Sequence, residues 1–306
     1  MYRLCVVVIL MLTVACGHRR VPDKQTPAQP VSRVFVSVLP PVGMSGDVAR
    51  EYMRDHYWDK FDFSDTLFIA EIDTLQMLNA YAGYVAHCLS ADAPAPMDSL
   101  MRKAAVSKPM LSYFAMLAEK VLYDPNSPLR SNELYISVLQ RVVASPFFDK
   151  WEKIAPQHDL QLALQNRVGH KANDFVYTLA SGATGRLSAI SAEYTLLFIN
   201  SPGCPMCREI REVITQSPML NEMIEQGRLK VLAIYTDEDL TEWHAHREFI
   251  PASWINAYDK NQVITQKERY DLRAIPSLYL LDRDKTVLLK DGVSVSEVES
   301  VIDHRL

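Results

Sequence analysis

Two thiols sit three residues apart in Cys204-Pro205-Met206-Cys207. A pair at this spacing can stand open as a dithiol or close into a disulfide, so it can pass electrons to another sulfur pair. The flanking residues place it. Ahead lies the apolar run Tyr194-Thr195-Leu196-Leu197-Phe198-Ile199-Asn200, read as a strand. Behind lies Arg208-Glu209-Ile210-Arg211-Glu212-Val213-Ile214, read as a helix. The motif therefore falls on the first turn of a helix. Unpaired backbone N–H groups there carry partial positive charge and favour thiolate over thiol at the first cysteine. Cys204 is the candidate nucleophile, and Cys207, one turn further on, is the candidate resolving sulfur.

From residue 168 onward short strands alternate with helices, the pattern of an α/β domain. Residues 175–179 form a strand and 181–185 a turn. Residues 194–200 are almost continuously apolar, as in a central parallel strand. The helix after the CxxC is interrupted at Ser217-Pro218 and ends near Gly227. Residues 229–235 form the next strand, and Thr236-Asp237-Glu238-Asp239 caps a helix carrying Leu240, Trp243 and Arg247. Residues 277–281 and 286–290 pair as a hairpin across Asp282-Arg283-Asp284-Lys285. The last helix opens with Ser294-Val295-Ser296-Glu297, a capping box in which hydroxyl and carboxylate each satisfy a free amide.

Strand, CxxC, helix, strand, helix, Ile275-Pro276, hairpin, helix: this order resembles the thioredoxin fold, and more closely the membrane-tethered TlpA/ResA type of thiol–disulfide oxidoreductase. Val168-Gly169-His170-Lys171-Ala172-Asn173-Asp174-Phe175 is similar to that family's opening segment. Ala274-Ile275-Pro276-Ser277-Leu278-Tyr279-Leu280-Leu281-Asp282 is similar to its cis-proline strand. Residues 240–270, with Trp243 and Trp254, match the place where this branch carries an insertion. The resemblance implies that the Ile275–Pro276 bond is cis and lies against the CxxC. The backbone of Ile275, beside a proline that lacks an N–H, would then dock an extended substrate chain. Pro205 and Met206, between the cysteines, would touch substrate and tune the potential.

Two family features are absent. The aromatic residue that usually precedes the first cysteine is Gly203, and Phe198 stands where thioredoxins bury an acid that helps deprotonate the second thiol. In the tethered branch an acid often lies three residues beyond the second cysteine; here that residue is Ile210. Glu209, one residue earlier, lies about 100° away around a helix and is not a candidate base. Proton transfer to and from Cys207 is then expected to pass through water.

The N-terminal half reads differently. Residues 51–165 are helical in pattern, with apolar residues three and four apart at 67–80 and at 110–120, and Ser131 placed to cap the helix that follows. Ser145-Pro146 ends that helix, and a last one runs through 160–165. Tyr52, His56, Tyr57, Trp58, Phe61 and Phe63 are assigned to a core rather than to a ligand. His56-Tyr57-Trp58-Asp59-Lys60-Phe61-Asp62-Phe63 and Leu122-Tyr123-Asp124-Pro125-Asn126-Ser127-Pro128 resemble a helical domain of unknown function. That domain precedes thioredoxin-like domains in lipoproteins of anaerobic gut bacteria, and the resemblance implies no activity.

The N-terminus assigns a compartment. Met1-Tyr2-Arg3 is basic, residues 4–14 are apolar, and Ala15-Cys16-Gly17 follows. This describes a secretory signal, too short for a spanning helix, which needs ~20 apolar residues. Leu12-Thr13-Val14-Ala15-Cys16 resembles the lipobox of bacterial lipoproteins, apart from Thr13 in place of the usual Leu. The resemblance implies that Cys16 is acylated and holds the protein on a membrane. The polar, proline-bearing residues 17–30 are expected to act as a tether. The expected organisation is a signal at 1–15, a tether at 16–45, an all-α domain at 46–166 and a thioredoxin-like α/β domain at 167–306. The expected location is the cell envelope, facing the periplasm from the inner or outer membrane.

Of five cysteines, Cys5 leaves with the signal, Cys16 takes lipid, 204 and 207 pair, and Cys88 is expected to be buried and inert. A net charge of −5 makes no case for nucleic acid. No nicotinamide or flavin fingerprint is present, so no cofactor is expected beyond the 204–207 disulfide. Electrons would come from a membrane donor such as a DsbD- or CcdA-type protein. Zinc on the CxxC would need Cys88, or His244 and His246, to complete it, and no metal is assigned. The reading is an envelope thiol–disulfide oxidoreductase acting on protein substrates, a reductant rather than an oxidant. The alternative is a membrane-anchored binding scaffold with a degraded thioredoxin-like domain.

Overall fold

The computed structural model describes residues 33–89 and 94–305; the signal and Cys16 lie outside the described residues. The first half is helical: α1 (Gly46–His56), α2 (Thr66–Glu71), α3 (Thr74–Leu89), α4 (Ala95–Ala104), α5 (Lys108–Ala118), α6 (Asn132–Ala144) and α7 (Ile154–Ala163). Side chains cap several of these helices. Asp65 accepts the amides of Leu67 and Phe68, Ser107 that of Met110, and Ser131 that of Leu134. The apolar spacing in α3 puts Met77, Tyr81, Tyr84, Val85 and Cys88 on one buried face.

Trp58 is at the centre of this core, with the rings of Phe35, Phe114 and Tyr57 at 4.8, 5.2 and 5.2 Å. The aromatic cluster is therefore packing, although Tyr52, His56 and Phe63 are only partly buried. The single helical pattern at 67–80 divides in two. Ile72 turns extended, and the Asp73 carboxylate accepts the amide of Gln76 at 2.8 Å, so the acid starts a new helix rather than continuing the old one. After α5 the chain makes one π-helical turn, Glu119–Tyr123.

The second half is built on one mixed sheet. Its strands are β1 (Val176–Leu179), β2 (Thr184–Arg186), β3 (Tyr194–Ile199), β4 (Leu229–Tyr235), β5 (Ile255–Tyr258), β6 (Ser277–Asp282) and β7 (Val287–Gly292). They lie in the order β2-β1-β5-β4-β3-β6-β7. β3 is central, parallel to β4 and antiparallel to β6, and all its residues are buried. The helices are α8 (Pro205–Gln216), α9 (Pro218–Glu225), α10 (Leu240–His246), α11 (Val263–Gln266) and α12 (Val295–Asp303). One sheet face packs with α8, α9 and α12 around Phe198, Leu278 and Ile214. The other face packs around Tyr279, Leu197 and Tyr270.

Two strands were not expected. β2 lies partly in the stretch read as a turn; Gly185 is needed there because any Cβ would stand 2.3 Å from the Tyr177 ring. β5 lies inside the insertion, where only Ala257 is fully buried and the alternation is too weak to read. Ser217 ends α8 and caps α9, as its place before Pro218 suggests. The Ser294 hydroxyl accepts the Glu297 amide as a capping box requires, while the Glu297 carboxylate meets that hydroxyl at 2.9 Å rather than an amide.

The halves are joined by polar contacts. Lys290 Nζ donates to the Ala163 and Gln165 carbonyls at 2.9 and 2.7 Å, placing a cation at the C-terminal end of α7. Arg130 donates to the Asp291 carbonyl, and Asn132 Nδ2 to its carboxylate at 2.9 Å. The Arg273 guanidinium lies 3.4 Å over the Tyr123 ring and donates to the Tyr123 carbonyl at 3.0 Å. Among the described residues, no helix is long and apolar enough to cross a membrane.

Candidate active site

β3 ends at Ile199, and five residues later Cys204 becomes the N-cap of α8. Pro205 occupies the first helical position, where its missing N–H costs nothing. The Cys204 sulfur accepts the amide of Cys207 at 3.2 Å, the bond a capping serine would make. That amide is aimed at negative charge as it develops on the sulfur during attack or departure. Cys204 is partly exposed and Cys207 is buried; the two stand as free thiols. The difference in exposure between the two sulfurs is the one expected.

Burial pushes the Cys207 thiol up to about 12, and its hydrogen bond with Cys204 pushes the same way. Two backbone amides oppose this, that of Ser201, which donates to the Cys207 sulfur at 3.5 Å, and that of Cys207 itself. Phe198 packs in the same cluster as Cys207, edge-on to Trp254 with centroids 6.2 Å apart. Ile210 is buried beside them and Glu209 is exposed. Cys207 packs among the apolar side chains of this cluster, so the second thiol has an apolar floor.

The Ile275–Pro276 bond is cis. The Ile275 carbonyl receives the Cys204 thiol at 3.8 Å, which brings the proline loop against the CxxC. Met206 is 53% exposed, on the rim, and Pro205 is also exposed. The loop is braced from behind, because Arg273, two residues before Ile275, is the arginine that lies on Tyr123 of the helical half. Gly203 adopts φ +77° with open space where a side chain would project. An aromatic residue at this place would therefore be strained, whereas glycine adopts it freely.

Beside the sulfurs is a hollow of about 310 Å³, walled by Gly203, Cys204, Arg208, Arg211, Arg247 and Phe249 among others. Sequence reasoning missed this wall. Arg208 and Arg211 stand three apart on α8 and so share a face, a readable signal; Arg247 and Phe249 follow α10 and reach the site only through the fold. Among the described residues, no group of three or more His, Cys, Asp or Glu converges as metal ligands. Cys88 lies in the helical core, away from the CxxC cluster.

A family model described as thioredoxin-like matches residues 192–287. One described as a domain of unknown function (DUF5106) matches residues 19–166. A thioredoxin-like protein from Bacteroides caccae is 40% identical, with 90% of this chain and 99% of that chain covered and a TM-score of 0.83. The chain belongs to the thioredoxin-like proteins. This thioredoxin-like chain is also 53% identical to the C-terminal domain of a protein from Bacteroides fragilis, over 45% of this chain and 98% of that one, with a TM-score of 0.44. Thiol–disulfide oxidoreductases are among its structural neighbours. The thioredoxin domain of one from Bacteroides vulgatus is 18% identical, over 45% of this chain and 97% of that one, with a TM-score of 0.40. No curated protein matches the chain.

Proposed function

We propose that the protein is a thiol–disulfide oxidoreductase of the bacterial cell envelope that reduces disulfides in other proteins through Cys204 and Cys207. The observation that carries this reading is the placement of Cys204. Its sulfur caps α8, accepts the Cys207 amide at 3.2 Å and faces the Ile275 carbonyl at 3.8 Å. In the forward step, the Cys204 thiolate attacks one sulfur of the substrate disulfide. That bond breaks, and the other substrate sulfur leaves as a thiolate and takes a proton from water. Cys207 then gives up its proton to water and attacks the Cys204 sulfur. The second substrate thiol is released, and the 204–207 disulfide forms. Two electrons have passed to the substrate. A dithiol on a membrane donor of the DsbD or CcdA type restores the pair by the reverse exchange.

Ile275, with Pro276, is the docking edge for the substrate backbone in this scheme, while Pro205 and Met206 form its rim. Acylation of Cys16 holds the enzyme on the periplasmic side of a membrane. The test is trapping. Cys207→Ser in cells is expected to accumulate mixed disulfides between Cys204 and envelope proteins, which dithiothreitol releases. Cys204→Ser is expected to accumulate none. An empty trap, together with alkylation of Cys204 at neutral pH no faster than that of a free model thiol, rejects the enzyme reading. The apolar floor under Cys207 favours a second reading, a binding scaffold that has lost turnover; that outcome would support it.

A further inference from the structure

We propose that the hollow beside the CxxC is a subsite for an acidic side chain of the substrate protein, carried within a few residues of the cysteine under attack. This rests on the oxidoreductase reading above and specifies its substrate class. Three arginines line the hollow, Arg208 and Arg211 from α8 and Arg247 from the turn after α10. Among the described residues, none of the three forms an ion pair within 4.0 Å, although eight other arginines of the chain do. The acids nearest in sequence, Glu209, Glu212 and Glu248, do not line the hollow. Glu242 is engaged with His246 at 3.4 Å.

The chain as a whole carries −5, so this cationic wall runs against its overall charge. Unpaired arginines that share a concave surface raise the local concentration of anions, and the planar guanidinium fork matches a carboxylate. Arg211 is held over the Phe249 ring at 5.7 Å, and Phe249 is 53% exposed. The wall thus offers an apolar face for a side-chain stem below its charged groups. At about 310 Å³ the hollow is at the small end of ligand sites, suited to one or two side chains. Gly203 leaves it open toward Cys204.

A second hollow of about 320 Å³ shares Asn200 and Ser201 with the first, touches Ile275, and is lined by Asp237 and Glu238. A substrate strand lying along Ile275 therefore has these acids beside it as well as the arginine wall.

The test uses the purified, dithiothreitol-reduced protein and three cysteine peptides of equal length. Each is capped as a mixed disulfide with 2-mercaptoethanol and carries two Glu, two Gln or two Lys beside the cysteine. The acidic peptide should react about tenfold faster than the neutral one at low ionic strength, and the basic one should be slowest. The preference should shrink in roughly 0.5 M salt, where the screening length is only a few ångströms. The double variant Arg211→Gln/Arg247→Gln should bring the acidic-to-neutral ratio close to one, while Arg211→Lys/Arg247→Lys should keep most of it. Equal rates for the three peptides, or a preference that survives the Gln variant or the salt, overturn the proposal. So does glutathione disulfide, if it outpaces the acidic peptide, because the hollow then serves a small anionic disulfide. Should no peptide react at all, the oxidoreductase reading falls, and the subsite with it.

Discussion

Cys88 and Cys207 are buried thiols, one in each half of the molecule, and desolvation raises both, to about 11 and about 12 respectively. Their surroundings separate them. Cys88 lies among Tyr81, Tyr84 and other core side chains, in a cluster that holds no second cysteine. Cys207 has Cys204 one helical turn away and an amide from Ser201 at its sulfur. In the proposed reaction, the same burial that silences one thiol would keep the other in reserve until its partner has formed a mixed disulfide. Burial alone therefore says little about a cysteine; what the neighbouring backbone and sulfur supply decides its use.

The contrast extends to the halves themselves. In the helical half, aromatic rings make a core and the polar groups cap helices. In the α/β half, a central buried strand delivers a reactive turn to the surface. Damage to the first should appear as lost stability, and damage to the second as lost chemistry. The largest expected effect is Cys204→Ser, which should abolish turnover of an insulin-type disulfide substrate, whereas Cys88→Ala should retain it; comparable losses would erase the distinction. Next, Trp58→Ala should cost about 3–5 kcal/mol in a urea titration, as large-to-small changes in aromatic cores do. Alkylation of Cys204 should keep its native rate below the unfolding transition. A parallel loss of cysteine reactivity there would mean that the helical half positions the site by more than the Arg273 brace.

A smaller effect is expected at Gly203. Replacement by Ala at φ +77° should lower stability by about 1–2 kcal/mol. A neutral result would show that the loop ahead of Cys204 rearranges freely. The smallest concerns a contact between the halves, His158 Nε2 to Glu268 at 2.8 Å. That hydrogen bond raises the His158 pKa above 6.5. A raised value means stabilisation that is fully present below the unfolded pKa and lost as pH rises through the folded one. An NMR titration should show the upward shift and its reversal in Glu268→Gln. An unshifted imidazole would mean that the halves do not hold this contact in solution.

Much of the α/β half was legible, for a local reason. β3, the CxxC at a helix start, the break at Ser217-Pro218 and the hairpin after Pro276 each depend on residues close in sequence. β5 was not legible, because a strand inside an insertion with one buried position carries no clear alternation. The division of 67–80 at Asp73 was also missed, since an acid within an apolar helical pattern is read as its polar face until the carboxylate is seen to cap. Arg247 and Phe249 gave no sign of reaching the sulfurs, and Arg273 none of resting on Tyr123.

The amino-acid order alone determined that two thiols would meet on the first turn of a helix, because three-residue spacing and a preceding apolar run act through local geometry. Only the tertiary structure decided what surrounds them: an arginine wall from α8 and the insertion, and a proline loop braced by the helical half. Those residues are far apart along the chain. The distances between them are set by how sheet and helices pack, and no spacing in the sequence encodes that.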